Sequence, residues 1–126
     1  MENYYFIIAV KLFIFLSIIN VWFFRFGKST DWRGGNATSM KEEFEAYGLP
    51  APMLYLVGGL KVLFATLLVV SIWYEKLAIP AAAGMAILML GAIIMHFKIN
   101  DPIKKSIPAF SFLVLSLIII VFHMGN

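Results

Sequence analysis

Among the polar side chains that interrupt the long apolar stretches of the sequence, four are the first candidates for chemistry. They are Lys11, Asn20, Lys61 and His96. A polar or ionisable group among apolar residues is costly to bury, so each needs a partner, a ligand or a route to water. Amide, ammonium and imidazole groups can donate hydrogen bonds to the oxygens of a small molecule, and an imidazole can also exchange a proton near neutral pH.

Two of these residues, Lys11 and Asn20, lie nine positions apart in the first apolar stretch. At 100° per residue this spacing puts them on opposite faces of a helix. Lys11 is close to the beginning of the stretch, which favours a side chain that extends along the helix to the membrane surface. For Asn20, the sequence favours a hydrogen bond between helices over a contact with a ligand.

Lys61 lies about 12 Å inside the second apolar stretch, beyond comfortable reach of the surface. Gly58 and Ala65 share its helical face. Small residues allow a neighbouring helix to approach, so we expect Lys61 to face the interior of a bundle. Two roles stay open for it in equal measure, a ligand contact and a structural ion pair with another helix.

His96 lies near the end of the third apolar stretch, on the helical face that carries Met85 and Met89. It could exchange protons or bond a carbonyl oxygen, and it could equally stabilise the C-terminus of its helix as a cation. If a ligand binds beside it, the two methionines would pack against the ring or the tail of that ligand. His123, near the end of the chain, is expected at the membrane surface.

Three of these residues, Asn20, Lys61 and His96, lie at similar depths from the same end of the predicted bundle. Three further polar residues lie nearer to the surface at the same end: Arg25, Tyr55 and Asp101. A few convergent polar groups between apolar walls are typical of small-molecule sites, so the sequence predicts a polar pocket at this end. Asp101 is also expected to cap a short turn that begins at Pro102.

The elements that carry these residues follow from composition. Of 126 residues, 62% are apolar and 13% are charged, against roughly 45–50% and 25% in a soluble domain. A soluble single domain and a disordered chain are therefore excluded. Four apolar stretches, at about 4–26, 53–74, 77–97 and 108–124, can each cross the bilayer, where the backbone must be helical. We predict an all-α membrane protein, an antiparallel four-transmembrane-helix bundle that forms one domain over residues 1–126.

The connection between the first two spans is long enough to hold structure of its own. Ser39 followed by Glu42 forms a capping-box pattern, and Gly48 ends the segment. The apolar face between them consists of Met40, Phe44 and Tyr47. This pattern predicts a short amphipathic helix at the membrane interface.

Positively charged residues are distributed unevenly between the two sides of the predicted bundle. The termini side holds Lys76, and the loop side holds seven residues, Arg25, Lys28, Arg33, Lys41, Lys98, Lys104 and Lys105. The positive-inside rule places the loops in the cytoplasm and both termini outside. The chain has no cysteine and two distant histidines, so thiol chemistry is excluded and no metal site is predicted. The net charge of +3 fits residues that flank spans and does not indicate nucleic acid.

Two long segments and two short motifs carry a resemblance to a known family. The segments run from Tyr47 to Lys61 and from Gly84 to His96, and the motifs are Asn100-Asp101-Pro102 and Ile107-Pro108-Ala109. Together they resemble the DoxX-like family of small four-helix bacterial membrane proteins, over almost the whole chain. The resemblance implies a multi-pass protein of the bacterial inner membrane. The family name derives from a subunit associated with a terminal quinol oxidase and with thiosulfate:quinone oxidoreductase.

The resemblance supports the hypothesis of a small accessory subunit that binds a quinone-like or other amphipathic molecule for a membrane redox complex. The implied cofactor is then a non-covalent quinone. The expected partners are the lipid bilayer and oxidoreductase subunits or further copies of the chain, without nucleic acid.

A second hypothesis is an assembly subunit without a ligand, which docks to partner helices through Gly58, Gly84 and Gly91. Lys61 would then pair with a carboxylate of the partner. A transporter would require several copies of so short a chain. The sequence names no reaction.

Overall fold

The computed structural model describes residues 2–28 and 30–125, with the backbone alone for residue 2. The regular structure in these ranges is helical. The five α-helices are α1 (Glu2–Ile19), α2 (Met40–Ala46), α3 (Ala51–Val70), α4 (Ala78–Lys98) and α5 (Ile107–Met124). Single 3₁₀ turns at Glu75–Leu77 and Ile103–Ser106 lead into α4 and α5.

Four of the helical stretches are long and apolar enough to cross a membrane. They cover Asn3–Phe24, Ala51–Val70, Glu75–Lys98 and Ile103–Met124. The predicted all-α membrane bundle is therefore confirmed, with small differences at the boundaries. The second span begins at Ala51, because Pro52 is tolerated in a first helical turn, and it ends at Val70, where a tight turn begins.

The four long helices form a closed ring in which every neighbour is antiparallel. α1 packs on α3, α3 on α4, α4 on α5, and α5 returns to α1. The interface between α4 and α5 is the most extensive, and that between α1 and α5 is the least extensive of the four. We call the end with residues 25–50 and 99–106 the loop side, and the end with the 71–77 turn the termini side.

The centre of the ring is an apolar core to which all four long helices contribute. Ile14, Leu68, Met85 and Ile119 are completely buried there. Met89 is also buried in this core, with 3% of its surface exposed. Met85 and Met89 thus pack in the core and do not line an open pocket, because their face of α4 is turned to the bundle axis.

Two glycines allow an aromatic ring from a neighbouring helix to pack directly on the helix backbone. The ring of Trp22 from the first span covers Gly58, and the ring of Phe64 covers Gly84. A Cβ atom on Gly84 would lie 2.5 Å from the Phe64 ring. Gly91, in contrast, faces open space. Gly58 and Gly84 are therefore used for packing within the chain, and the expectation that they form contact faces for a partner is wrong.

The first span ends in a π-helical turn, Asn20–Phe24, which is closed by the Arg25 N–H that donates to the Asn20 carbonyl at 2.9 Å. Asn20 is exposed, although a hydrogen bond between helices was expected. It follows Ile18 by two positions, which is about 200° around a helix, so it points away from the buried face that Ile18 carries.

One further expectation about the termini side is wrong. The Lys11 side chain does not reach the surface. It is 1% exposed, since it shares the buried face of α1 with Ile7 and Ile14. His123, expected at the membrane surface, lies in the last turn of α5, where its ring is buried and bonds the Glu75 carboxylate at 3.1 Å.

The first loop contains the predicted short helix, α2. Its N-cap is Ser39, whose Oγ accepts a hydrogen bond from the Glu42 N–H at 3.2 Å. Met40, Phe44 and Tyr47 are buried together, as the pattern predicted. This apolar face holds α2 against the loop-side end of the bundle, where Phe44 packs beside Trp22.

Candidate functional site

The loop-side end of the bundle holds a row of buried polar side chains from three separate segments. Arg33 belongs to the first loop, Glu43 and Tyr47 belong to α2 and its C-cap, His96 is near the end of α4, and Asp101 follows α4. Each of these side chains is at most about one-tenth exposed. Buried charges require close partners, so their contacts decide whether this arrangement is stable.

Glu43 is the acceptor at one end of the row. Its Oε2 lies 3.3 Å from the Arg33 Nη1, so the two groups form a buried ion pair. Its Oε1 accepts hydrogen bonds from the Gly34 N–H at 3.0 Å and from the Tyr47 hydroxyl at 2.9 Å. The carboxylate thus has partners on both oxygens.

His96 links Tyr47 to the other end of the row. Its Nε2 lies 3.3 Å from the Tyr47 hydroxyl oxygen, and its Nδ1 lies 2.7 Å from Oδ2 of Asp101. The Gly35 N–H donates to Oδ1 of Asp101 at 3.0 Å. Lys105 donates to the Gly35 carbonyl, which holds the loop in place. The Glu43, Tyr47, His96 and Asp101 side chains thus form one continuous chain of hydrogen bonds, which we call the relay.

Two glycines of the first loop, Gly34 and Gly35, allow its backbone to reach both carboxylates. Gly35 has a φ of +57°, a conformation that a residue with a Cβ atom rarely adopts. A Cβ atom on Gly34 would lie 2.6 Å from the Tyr47 ring, so the phenol can lie directly on the loop only because this residue is glycine. Arg33 also donates to the Lys28 carbonyl at 3.0 Å and to the Arg25 carbonyl, which ties the loop to the end of the first span.

The relay has two proton arrangements. When both carboxylates are ionised, they can only accept hydrogen bonds, so the His96 Nδ1 donates to Asp101. If Tyr47 donates to Glu43, the Nε2 of His96 must donate to the Tyr47 oxygen, and the ring is a cation. If the hydroxyl turns to His96 instead, the ring is neutral, and Glu43 keeps its bond from Gly34. One proton can therefore enter or leave while each buried donor keeps an acceptor.

Tyr47 takes part in this exchange as a neutral phenol. Burial of the ring raises the pKa of the Tyr47 hydroxyl above its ordinary value, and the neighbouring Glu43 carboxylate raises the pKa further. The hydroxyl can thus pass a hydrogen bond from one neighbour to the other without becoming an anion.

A row of aromatic rings connects the relay to the edge of the bundle. The ring centroids of Trp22 and Phe44 are 6.3 Å apart, and those of Phe44 and Tyr47 are 5.9 Å apart. Tyr47 and His96 follow at 5.7 Å in an edge-to-face arrangement. At the outer end, the Lys61 ammonium lies 5.8 Å from the Trp22 ring centroid, a distance typical of cation–π contacts.

The profile of the DoxX-like family matches residues 15–119 of the chain. The chain belongs to the DoxX-like family. No curated protein and no solved structure matches it. The matched range includes every member of the relay of this DoxX-like chain, together with Arg33 and Lys61, whereas Lys11 and His123 lie outside it.

The structure brings together two of the candidate residues predicted for this DoxX-like chain, His96 and Asp101. Lys61 lies at the outer end of the aromatic row and is half-buried. The other polar candidates near this end are exposed: Asn20, Arg25 and Tyr55. Asn20, Lys61 and His96 therefore do not line one pocket. Asp101 bonds His96 and Gly35, so it does not cap the turn after Pro102 as expected.

Three members of the site were not predicted from the sequence. Arg33 and Glu43 were not singled out, and Tyr47 was predicted only as part of an apolar face. A signal for Glu43 was present. Met40, Glu43 and Tyr47 follow one another at spacings of three and four, so a carboxylate interrupts the apolar face of α2. A charge on a face that must be buried indicates a buried partner. No comparable signal singled out Arg33 among the basic residues of the loop.

Within residues 2–28 and 30–125, no three His, Asp or Glu side chains lie close enough together to hold a metal ion. The hydrogen bonds of His96 with Tyr47 and Asp101 offer proton exchange and hydrogen bonding at the loop side of this DoxX-like chain.

Proposed function

We propose that this DoxX-like membrane protein is a small accessory subunit that binds a quinone-like molecule at the loop side, in support of a membrane redox complex. The observation that carries the proposal is the relay, which can hold or release one proton without leaving a buried donor unpaired. Quinones take up protons when they are reduced. A histidine that exchanges a proton can serve such a ligand through the hydrogen bonds of the relay.

The ligand headgroup would bind at the edge where Lys61 meets Trp22. The ammonium of Lys61 can donate a hydrogen bond to a ring carbonyl, and the indole offers a surface for stacking. Glu43 is the carboxylate of the relay that acts electrostatically on Lys61, so a headgroup at Lys61 would be coupled to the relay through Glu43. His96 would hold the proton that is exchanged when the quinone is reduced, and the partner oxidoreductase would supply the electrons. We further propose that the membrane is the bacterial inner membrane, with the loop side in the cytoplasm.

Binding of a short-chain quinone analogue to the purified protein in lipid nanodiscs tests the proposal. We expect the substitution Lys61→Met to weaken binding about tenfold, because it removes one hydrogen bond worth about 1.4 kcal/mol. Lys76→Met is the matched control, since Lys76 is exposed on the termini side, and it should leave the dissociation constant unchanged.

The proton is measured separately, by titration calorimetry of the same analogue in its reduced form in two buffers with different ionisation enthalpies. The wild type should exchange a proton on binding, and His96→Gln should not. Equal affinity of all variants, or a proton count that His96→Gln does not alter, would overturn the proposal.

A second candidate function is assembly with partner helices, and the packing of Gly91 favours it. A Cβ atom at Gly91 would meet nothing within 4 Å, and the same holds for Gly59. Small residues with open space beside them allow another helix to approach closely. A defined partner that co-purifies with the wild type should be lost with Gly91→Leu. Retention of the partner by this variant would exclude docking at this face.

A further inference from the structure

The termini side of the bundle contains a second group of buried polar side chains, which the relay does not use. Lys11 is 1% exposed and Ser116 is completely buried. The side chain of His123 is 3% exposed. The Oγ of Ser116 and the Nε2 of His123 have no hydrogen-bond partner among the described residues. Buried polar atoms of this kind usually have a partner, so two in one region indicate a missing one.

The positions of these three residues on α1 and α5 place them in the same half of the bundle. Ser116 and His123 lie seven residues apart on α5, which is two helical turns and one face. Lys11 is carried by α1, which packs on α5, and lies at the depth of Ser116. Side chains of a helix lean toward its N-terminus, so the Lys11 ammonium extends from the level of Ser116 toward His123.

The charge of Lys11 has no close counter-ion among the described side chains. Each of the described ion pairs within 4 Å joins other residues. Glu75 is the carboxylate that acts on Lys11 electrostatically, but it is bonded to His123 and its side chain is 61% exposed. A buried ammonium without a contacting anion is costly.

We propose that the interior between Lys11, Ser116 and His123 is a binding site for a carboxylate group. One carboxylate oxygen would accept from the Lys11 ammonium and the other from the Ser116 hydroxyl. His123 would donate to the same group through Nε2 as an imidazolium, because its Nδ1 donates to the Glu75 carboxylate. Of the three residues, His123 also borders a cleft of about 240 Å³ on the termini side, which is lined by Glu75, Lys76, Ile79 and His123.

The charges favour a carboxylate over a neutral ligand. A monovalent anion beside Lys11 neutralises the ammonium in a region where the dielectric constant is low. It also supplies acceptors to Ser116, which now has none. The site is independent of the proposed quinone contact, because the two groups lie at opposite ends of the bundle.

The test uses the full-length protein in nanodiscs of zwitterionic lipid, with ¹³C-acetate as the probe and saturation-transfer NMR as the readout. We expect saturable binding, weakened at least tenfold by Lys11→Met and about threefold by Ser116→Ala. Lys76→Met is the control for an exposed lysine that lines the cleft. Lys61→Met is the control for a lysine within a span toward the loop side. Both should bind acetate within twofold of the wild type.

Three results would overturn the inference. One is the absence of saturable acetate binding, which would mean that water alone fills this region. Another is a loss of acetate binding in Lys76→Met as large as that in Lys11→Met, which would indicate that acetate is attracted only to the charged surface. The third is displacement of acetate by equimolar chloride, which would exclude selectivity for a carboxylate. If Lys11→Met does not fold, Ser116→Ala decides the question, because it removes a single oxygen atom. Failure of quinone binding at Lys61 would leave each of these results unchanged.

Discussion

The relay predicts different outcomes for two substitutions of one residue, Asp101. In Asp101→Ala, the His96 Nδ1 and the Gly35 N–H lose the acceptor that they bond at 2.7 Å and 3.0 Å. In Asp101→Asn, the amide oxygen can still accept from Gly35, and the amide N–H₂ can donate to Nδ1 of a neutral His96. The ring then donates to the Tyr47 oxygen through Nε2, and each hydrogen bond of the relay is kept.

The free-energy changes follow from these bonds. Removing one partner of a buried pair costs about 3–5 kcal/mol, so Asp101→Ala should lower the free energy of unfolding by that amount. Asp101→Asn exchanges a charge-assisted bond for a neutral one, which costs about 1–1.5 kcal/mol. Asp31 lies in the first loop and is exposed, and Asp31→Ala should change stability by less than about 0.5 kcal/mol.

Denaturant unfolding in detergent micelles, followed by circular dichroism, measures these differences. The ¹⁵N NMR spectrum of the histidine side chains provides a second readout, since Asp101→Asn should fix His96 as the neutral ring with its proton on Nε2. If Asp101→Ala and Asp101→Asn lower the free energy of unfolding equally, the hydrogen bonds that His96 and Gly35 make with residue 101 do not account for its contribution to stability. If Asp101→Ala changes the free energy of unfolding as little as Asp31→Ala does, Asp101 is not part of a buried pair.

Three further predictions concern packing, pH and topology. Gly84→Ala should lower the free energy of unfolding by about 1–2 kcal/mol, because the overpacking cost of about 1–3 kcal/mol against the Phe64 ring exceeds the gain in helix propensity. Gly91→Ala, beside open space, should stabilise by about 0.5–1 kcal/mol in the same unfolding assay. The raised pKa of Tyr47 means that its contribution to stability is complete below about pH 10 and is lost as pH rises further. At pH 11 the wild type should lose about 1.4 kcal/mol relative to Tyr47→Phe, and parallel pH profiles of the two proteins would contradict this. In the cysteine-free background, Thr30→Cys should react with an impermeant thiol reagent from the cytoplasmic side and Gly125→Cys from the outside; the reverse pattern would show the opposite orientation.

The spans and the short helix were predictable because their causes are local. A stretch of about 20 apolar residues has one way to satisfy its backbone in hydrocarbon, so its helical state needs no knowledge of neighbours. Ser39 and Glu42 specify the beginning of α2 in the same local manner. The π-helical turn at Asn20–Phe24 carries no such local signal and was not predictable from the sequence.

Polar residues in the spans were recognised as significant, but their surroundings were not predictable. Lys11 and Asn20 were assigned to the surface and to the interior, and the structure reverses both assignments. The rotation of α1 about its own axis decides between these alternatives. A helix that is apolar on every side has no polar face to indicate that rotation.

By itself, then, the sequence determined that the chain crosses the membrane four times as helices, with a short helix between the first two spans. Only the tertiary structure decided which polar groups meet. Tyr47 and His96 are 49 residues apart, and Gly35 and Asp101 are 66 residues apart. Their contacts depend on where α2 packs, on the rotation of α4 and on a loop backbone that two glycines allow. Each of these is a property of the folded chain, because the energy of burying a charge depends on the partners that the fold brings to it.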